Sequence, residues 1–164
     1  MNTIFALATP EGKSGVAIIR VSGKNAFQLF EKFSCQPVKP NRMGLRKLLV
    51  NNKLLDEALI LCFDKGHSFT GEKVVELHHH GSLAIIQKCL SVLGSIQDFR
   101  MAYPGEFTKR AFENGELDLS QVEGLSALID AETAVQLDQA QRVFRGALGK
   151  IVGNWRKDLI SSKA

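Results

Sequence analysis

Hydrophobic positions change period partway along the chain. Up to Ala102 they form short runs of strand length broken by Gly, Pro and Asn, and beyond Pro104 they recur at helical spacing. Ile4–Ala8 is an apolar run stopped by Pro10-Glu11-Gly12, and Val16–Val21 is a nearly continuous one enclosed by Gly15 and Gly23. Both read as strands, the second covered on both faces. Ser22 reads as the N-cap of a helix whose Ala26, Leu29, Phe30 and Phe33 make one apolar stripe. Leu45–Val50 and Leu54–Phe63 flank Asn51-Asn52, residues that tolerate left-handed backbone, and predict a hairpin. Val74–His80 predicts a further strand, and Leu83, Ile86, Leu90 and Leu93 trace a helix face ending at Gly94. Ile96–Ala102 is the last strand candidate.

After Pro104, which suits the first turn of a helix, one helix is expected through Phe107 and Phe112. Ser120 and Glu123 have the spacing of a capping box, with Val122, Leu125, Leu128 and Ile129 as the buried face behind it. From Thr133 onward, Leu137, Phe144, Leu148, Ile151, Trp155 and Leu159 form a long stripe of the kind that docks on a partner surface. The pattern as a whole predicts an α+β fold, a mixed sheet with packed helices followed by long C-terminal helices. The domain boundary falls near Asp118, giving 1–118 and 119–164.

Composition changes this picture little. With 45% hydrophobic and 23% charged residues the chain can bury an independent core. Lys and Arg outnumber Asp and Glu by 21 to 17, which permits contact with RNA without requiring it. Interleaved aromatic and basic residues of the kind that build single-strand platforms are absent. The three cysteines, Cys35, Cys62 and Cys89, lie far apart without a C-x-x-C pair, and read as buried thiols in a reducing compartment. No export signal and no apolar run near the length of about 20 residues needed for a membrane span is evident, so the expected location is cytoplasmic, away from membranes.

Three groups of residues invite chemistry. Gly12-Lys13-Ser14 imitates the end of a phosphate-binding loop, but Leu7 stands where the loop needs its first glycine, and a strand follows in place of a helix. A glycine turn between strands is the better reading, and nucleotide hydrolysis by this chain is rejected. Strand alternation puts Glu76, His78 and His80 on one face, a possible metal set, yet neighbouring strand histidines more often serve as half-buried hydrogen-bonding groups, and no metal is assigned. Arg20 and Glu76 each occupy a mostly apolar strand, where an unpaired charge would cost several kcal/mol. Either they pair with each other or with other side chains, or they hold a ligand, the carboxylate taking N–H donors from a flat heterocycle and the guanidinium clamping a ligand carboxylate. No nucleophile or catalytic set emerges.

Several segments together resemble one family. Thr3-Ile4-Phe5-Ala6-Leu7-Ala8-Thr9-Pro10, the run Gly15–Gly23, the loop Ser68-Phe69-Thr70-Gly71-Glu72, Val74–Leu77 leading to His80-Gly81, and Pro104–Phe112 with Asn114-Gly115 and Leu117-Asp118-Leu119 are similar, in order and spacing, to the tRNA modification GTPase family MnmE/TrmE. The resemblance implies an amino-terminal domain like folate-binding aminomethyltransferase domains, which forms homodimers and binds 5-formyltetrahydrofolate or a related folate. It further implies a helical domain carrying an inserted G domain that uses K+ and Mg2+ with GTP, and a FAD-dependent partner protein. Together these place a carboxymethylaminomethyl-type group on the wobble uridine of tRNA. The G domain is not in this sequence, so GTP hydrolysis is expected only of the full-length protein. Arg20 and Glu76 match the family's folate-contacting positions. The third such position, usually lysine in the family, is Glu116 here, a charge reversal beside an anionic ligand. Tyr103 and Ser82 likewise stand where the family commonly has Arg and Gly. Two alternatives remain beside this reading: a module that only dimerises and docks a partner without folate, and a metal-dependent hydrolase built on Glu76, His78 and His80.

Overall fold

The computed structural model describes residues 2–146, 155 and 159–161. It divides between Arg110 and Ala111 into two compact units. The first holds a six-stranded mixed sheet built from β1 (Thr3–Leu7), β2 (Ser14–Ser22), β3 (Arg42–Val50), β4 (Lys53–Phe63), β5 (Val74–Gly81) and β6 (Phe99–Met101), in the order β3-β4-β5-β2-β1-β6. All neighbours are antiparallel except β1 and β6, which run parallel. The architecture is the expected α+β one.

Alternation sorts the side chains of the sheet. Phe5, Ile19, Val21, Ile60, Val75 and Leu77 point to one face and build the core with Phe33 and with Leu93 of α2 (Leu83–Gly94). The opposite face carries Arg20, Glu76 and His78, which stay partly exposed. The expectation that β2 is covered on both faces is therefore corrected: Ala17, Ile19 and Val21 are buried, but Val16 is 56% exposed. Helices α1 (Leu29–Lys32) and α2 contribute to the core on one side, as is common for a largely antiparallel sheet.

The hairpin forms at Asn51-Asn52, whose φ values of 52° and 61° match the left-handed pair a two-residue turn of the right twist requires. The helix expected after Ser22 is shorter than its stripe, a 3-10 turn over Ala26–Gln28 followed by α1 (Leu29–Lys32). Ser22 is not its cap; it is the last residue of β2, and its hydroxyl is engaged by Thr70 and Glu72. Between them Gly23 has φ 143°, and a Cβ there would meet the Thr3 Cα at 2.7 Å, so the crossing of chain over β1 needs glycine.

The second unit contains α4 (Leu119–Ile129) and α5 (Ala134–Phe144), while α3 (Glu106–Glu113) begins in the first. The start of α4 departs from expectation. Asp118, not Ser120, is the N-cap; its carboxylate accepts from the Gln121 backbone N–H at 2.8 Å, and Gln121 returns a bond to the Asp118 N–H. Ser120 donates to the same carboxylate, and with this bond as the leading cause the Asp118 pKa is lowered. A charged acceptor at the positive end of a helix outcompetes a hydroxyl two residues on. The face predicted behind it is only half-buried, and Ile129 is 75% exposed, because α4 meets α5 at Gly124 instead. A Cβ at Gly124 would lie 2.7 Å from the Phe144 N. In the expected terminal stripe Leu137, Trp155 and Leu159 are exposed and Phe144 is half-buried; Leu148 and Ile151 lie outside the described residues. No helix among the described residues is long and apolar enough to cross a membrane.

Candidate functional site

Register brings the two isolated charges together. Arg20 on β2 and Glu76 on β5 are directly opposite each other, 56 positions apart in sequence. The guanidinium Nε and Nη2 both reach Glu76 Oε1, at 2.9 and 2.8 Å. The other carboxylate oxygen, Oε2, lies 3.1 Å from His78 Nε2, two residues along the same strand. The carboxylate thus bridges a guanidinium and an imidazole.

Two aromatic rings flank the arginine. Its guanidinium carbon is 5.7 Å from the Phe69 ring centroid and 5.8 Å from that of Phe107, within cation–π range. Phe69 comes from the loop 64–73 and Phe107 from the first turn of α3, and a second charge cluster ties down both segments. Arg110, only 5% exposed, reaches both Glu72 oxygens at 3.0 and 3.2 Å, Glu106 Oε1 at 3.1 Å and the Asn2 carbonyl at 2.9 Å. Arg100 adds a bidentate pair to Glu106 at 2.6 and 2.7 Å. With the Arg100 bonds as the leading cause, helped by the Tyr103 N–H and Arg110, the Glu106 carboxyl is pulled down to about 2. Ser22 Oγ donates to Glu72 at 2.7 Å and completes the link to the sheet.

The remaining candidates fall elsewhere. His80, 70% exposed at its side chain, turns away from Glu76 and pairs with Asp56 at 2.8 Å. Glu76, His78 and His80 therefore share a strand face without converging, and no three His, Cys, Asp or Glu groups among the described residues stand as a metal set. Gly12-Lys13-Ser14 leads straight into β2, without the helix N-terminus a phosphate loop needs. Cys62 and Cys89 are buried thiols, pushed by burial to about 11 and about 12, and Cys35 is half-buried and also raised; none is a thiolate near neutral pH. Glu116 is exposed in the second unit, its backbone N–H bonded to the Ala111 carbonyl at 2.9 Å. Sequence reasoning missed Phe69, Glu72, Glu106, Phe107 and Arg110 as parts of this arrangement. The signal available was that all five stand in the two conspicuous segments Ser68–Glu72 and Pro104–Phe112.

Fold and site define an α+β domain that presents an arginine–glutamate pair, backed by two aromatic rings, on the partly open face of its sheet. Residues 3–116 match the family described as GTP-binding protein TrmE N-terminus, and the chain belongs to that family. Among its relatives, the tRNA modification GTPase MnmE of Cereibacter sphaeroides (strain ATCC 17025 / ATH 2.4.3) is 49% identical over 164 residues, covering 100% of this chain and 38% of the relative. The tRNA modification GTPase MnmE of Ruegeria sp. (strain TM1040) is 50% identical over 161 residues, 98% of this chain and 38% of the relative. That of Ehrlichia ruminantium (strain Gardel) is 47% identical over 162 residues, 98% of this chain and 36% of the relative. The chain thus spans well under half the length of the curated relatives it matches.

Proposed function

We propose that this chain is the amino-terminal part of a tRNA modification GTPase and that its role there is to hold a formyl-tetrahydrofolate through Arg20 and Glu76. The observation that carries the reading is the partly buried Arg20–Glu76 pair, 30% and 14% exposed at its side chains, with Phe69 and Phe107 against the guanidinium. A guanidinium, a carboxylate and two rings are the groups that a flat, hydrogen-bonding heterocycle recruits. Family membership supports the same assignment, because these two residues match the folate-contacting positions that the resemblance implies.

In this reading residues 1–118 are the folate-binding and dimerisation domain and 119–164 begin a helical domain. The chain acts as a homodimer in the cytoplasm, and exposed Leu45 and Leu54 on the β3–β4 hairpin supply apolar surface for self-association. GTP, K+ and Mg2+ belong to a G domain of the complete protein. The complete protein works with a FAD-dependent partner on the wobble uridine of tRNA, the folate supplying the one-carbon unit.

The test is a calorimetric titration of the 164-residue chain with 5-formyltetrahydrofolate. Saturable binding, weakened roughly 30-fold or more by Arg20→Ala through loss of a charge-assisted contact, is expected. A second reading, a module that only dimerises and docks its partner, is favoured by one detail: both Glu76 oxygens already have protein partners, Arg20 and His78. Absence of saturation at millimolar ligand would select it.

A further inference from the structure

Positive charge in this chain is concentrated at one edge of the sheet. Residues 32–55 hold six cations, Lys32, Lys39, Arg42, Arg46, Lys47 and Lys53, and no Asp or Glu, so this stretch alone exceeds the net +4 of the whole chain. It runs from the end of α1 through the loop 33–41 into the β3–β4 hairpin, and β3 is the outermost strand. The loop is held against that strand. The Leu49 N–H donates to the Phe33 carbonyl at 2.8 Å, and Arg46 Nε donates to the Gln36 carbonyl at 2.9 Å. Phe33 and Val38, 0% and 5% exposed, anchor the loop in the core, so the neighbouring Lys32 and Lys39 project from fixed backbone.

Register separates the two sides of this edge. Arg42 and Arg46 stand opposite Cys62 and Ala58, which belong to the core, so both arginines lie on the helix side of the sheet. Met43 and Leu45 alternate with them and fall on the open face, as does Lys47, which stands opposite Glu57. Lys32, Lys39 and Arg42 are exposed and have no ion-pair partner among the described residues. The carboxylates that bound the stretch are Glu31, next to Lys32, and Asp56, which His80 engages. The sole aromatic residue in the stretch is the buried Phe33, so it offers neither a platform for stacked bases nor the aromatic centre of a protein interface.

Resting on the reading of this chain as part of a tRNA modification GTPase, we infer that the ridge of Lys32, Lys39, Arg42 and Arg46 holds the phosphate backbone of an RNA helix without reading its bases. Phosphates present negative charge at regular intervals along a line, and an extended row of cations on a strand edge matches such a line; Arg42 and Arg46, four residues apart, are spaced by about 13 Å along β3. Double-helical RNA is recognised chiefly through its shape and backbone, which requires cations and donors but no base-reading side chains. The apolar Met43 and Leu45 lie on the other face, so self-association there leaves the ridge accessible.

The experiment measures fluorescence anisotropy of two labelled probes, unmodified tRNA and an RNA duplex of unrelated sequence, against the 164-residue chain between about 50 and 200 mM KCl. Both probes are expected to bind, the logarithm of affinity falling against the logarithm of salt with a slope of about −3 to −4, one phosphate for each cation of the ridge. The triple variant Lys32→Ser/Lys39→Ser/Arg42→Ser should weaken both about tenfold or more at low salt and flatten the slope by about 2 to 3. Arg46 is kept because it ties the loop to β3, and circular dichroism checks the fold. A control, Lys13→Ser/Lys24→Ser/Lys88→Ser, makes the same charge change at exposed positions elsewhere and should alter affinity by no more than about twofold. Equal losses in the two variants would overturn the inference, because net charge and not the ridge would then attract the RNA. Absence of binding at the lowest salt would overturn it too, as would a polyglutamate peptide bound as tightly as RNA, which would mark the ridge as a site for an acidic protein. Calorimetry with 5-formyltetrahydrofolate keeps the two readings apart: saturable folate binding without RNA binding overturns this inference alone, and ridge-dependent RNA binding without folate saturation overturns only the folate reading.

Discussion

Two arginine–glutamate clusters stand on the same side of one sheet, and they solve the problem of a charge in an apolar setting in opposite ways. At Arg110 every partner is protein: two carboxylates and a backbone carbonyl surround a guanidinium that is 5% exposed. At Arg20 a single carboxylate oxygen takes both bonds, and the rest of the guanidinium lies between two rings and solvent. The first arrangement has nothing left to offer a ligand; the second is held in place and still addressable. A buried, saturated network fixes segments, here the loop 64–73 and α3, and by fixing Phe69 and Phe107 it shapes the surroundings of the arginine that remains available. Charge pairs in a fold therefore have to be read by their spare valence, not by their presence.

The sharpest way to break this contrast is to delete each arginine in turn and measure stability by urea denaturation. Arg110→Ala leaves the largely buried Glu72 carboxylate without its guanidinium while Glu106 keeps Arg100, and breaking such a largely buried pair costs about 3 kcal/mol. Arg20→Ala leaves Glu76 with His78 and nearby solvent, so about 1 kcal/mol or less is expected. Equal losses would mean that both clusters are structural supports.

Acid tests the same contrast with a smaller effect. Glu106 has its folded-state pKa depressed from 4.5 to about 2, foremost by the Arg100 bonds. Its ionised form is therefore favoured by folding: the stabilisation is present in full above the unfolded value and is lost as pH falls from 4.5 towards 2. Allowing for solvent beside the one-third-exposed Arg100, the native chain should lose about 2 kcal/mol more across that window than the Glu106→Gln variant does. Parallel stability curves for the two chains would show that the Arg100–Glu106–Arg110 cluster is not charged in the way its geometry indicates.

What could be read in the sequence is what local chemistry decides. The Asn51-Asn52 hairpin, β5 and the helix from Leu83 to Gly94 follow from spacing and turn residues a few positions apart. The capping box slipped from Ser120 to Asp118 because two side chains compete for one helix end, and the winner depends on which residue takes the extended conformation, φ −88° and ψ 170° at Asp118. Arg20 and Glu76 were legible as charges in need of partners, yet their pairing rests on the β2–β5 register, which no local pattern encodes. The Arg110 cluster was illegible for the same reason: Glu72 lies 38 positions from Arg110, and only the tertiary fold brings the helix and the loop together. Membership of a family pointed at these segments without saying that Glu72 and Arg110 tie them together while Arg20 pairs with Glu76 beside them.

The smallest expected effect concerns Glu116, where the family resemblance implies lysine. Glu116 is exposed, so its charge is well solvated and its substitution should not move stability by more than about 0.5 kcal/mol. Under the folate proposal, replacing this carboxylate with an ammonium would remove a repulsion of the anionic ligand and add an attraction, each worth at most about 1 kcal/mol at a solvent-exposed site. Glu116→Lys should accordingly tighten 5-formyltetrahydrofolate by about three- to tenfold in calorimetry at low salt, with the gain shrinking as salt is raised, since exposed charges are screened beyond a Debye length of about 10 Å at 0.1 M. A gain that survives high salt would mean direct ligand contact, and Glu116 would join Arg20 among the addressable charges. Unchanged affinity at every salt concentration would mean that this position lies outside the ligand's reach and that Arg20 and Glu76 carry the recognition without it.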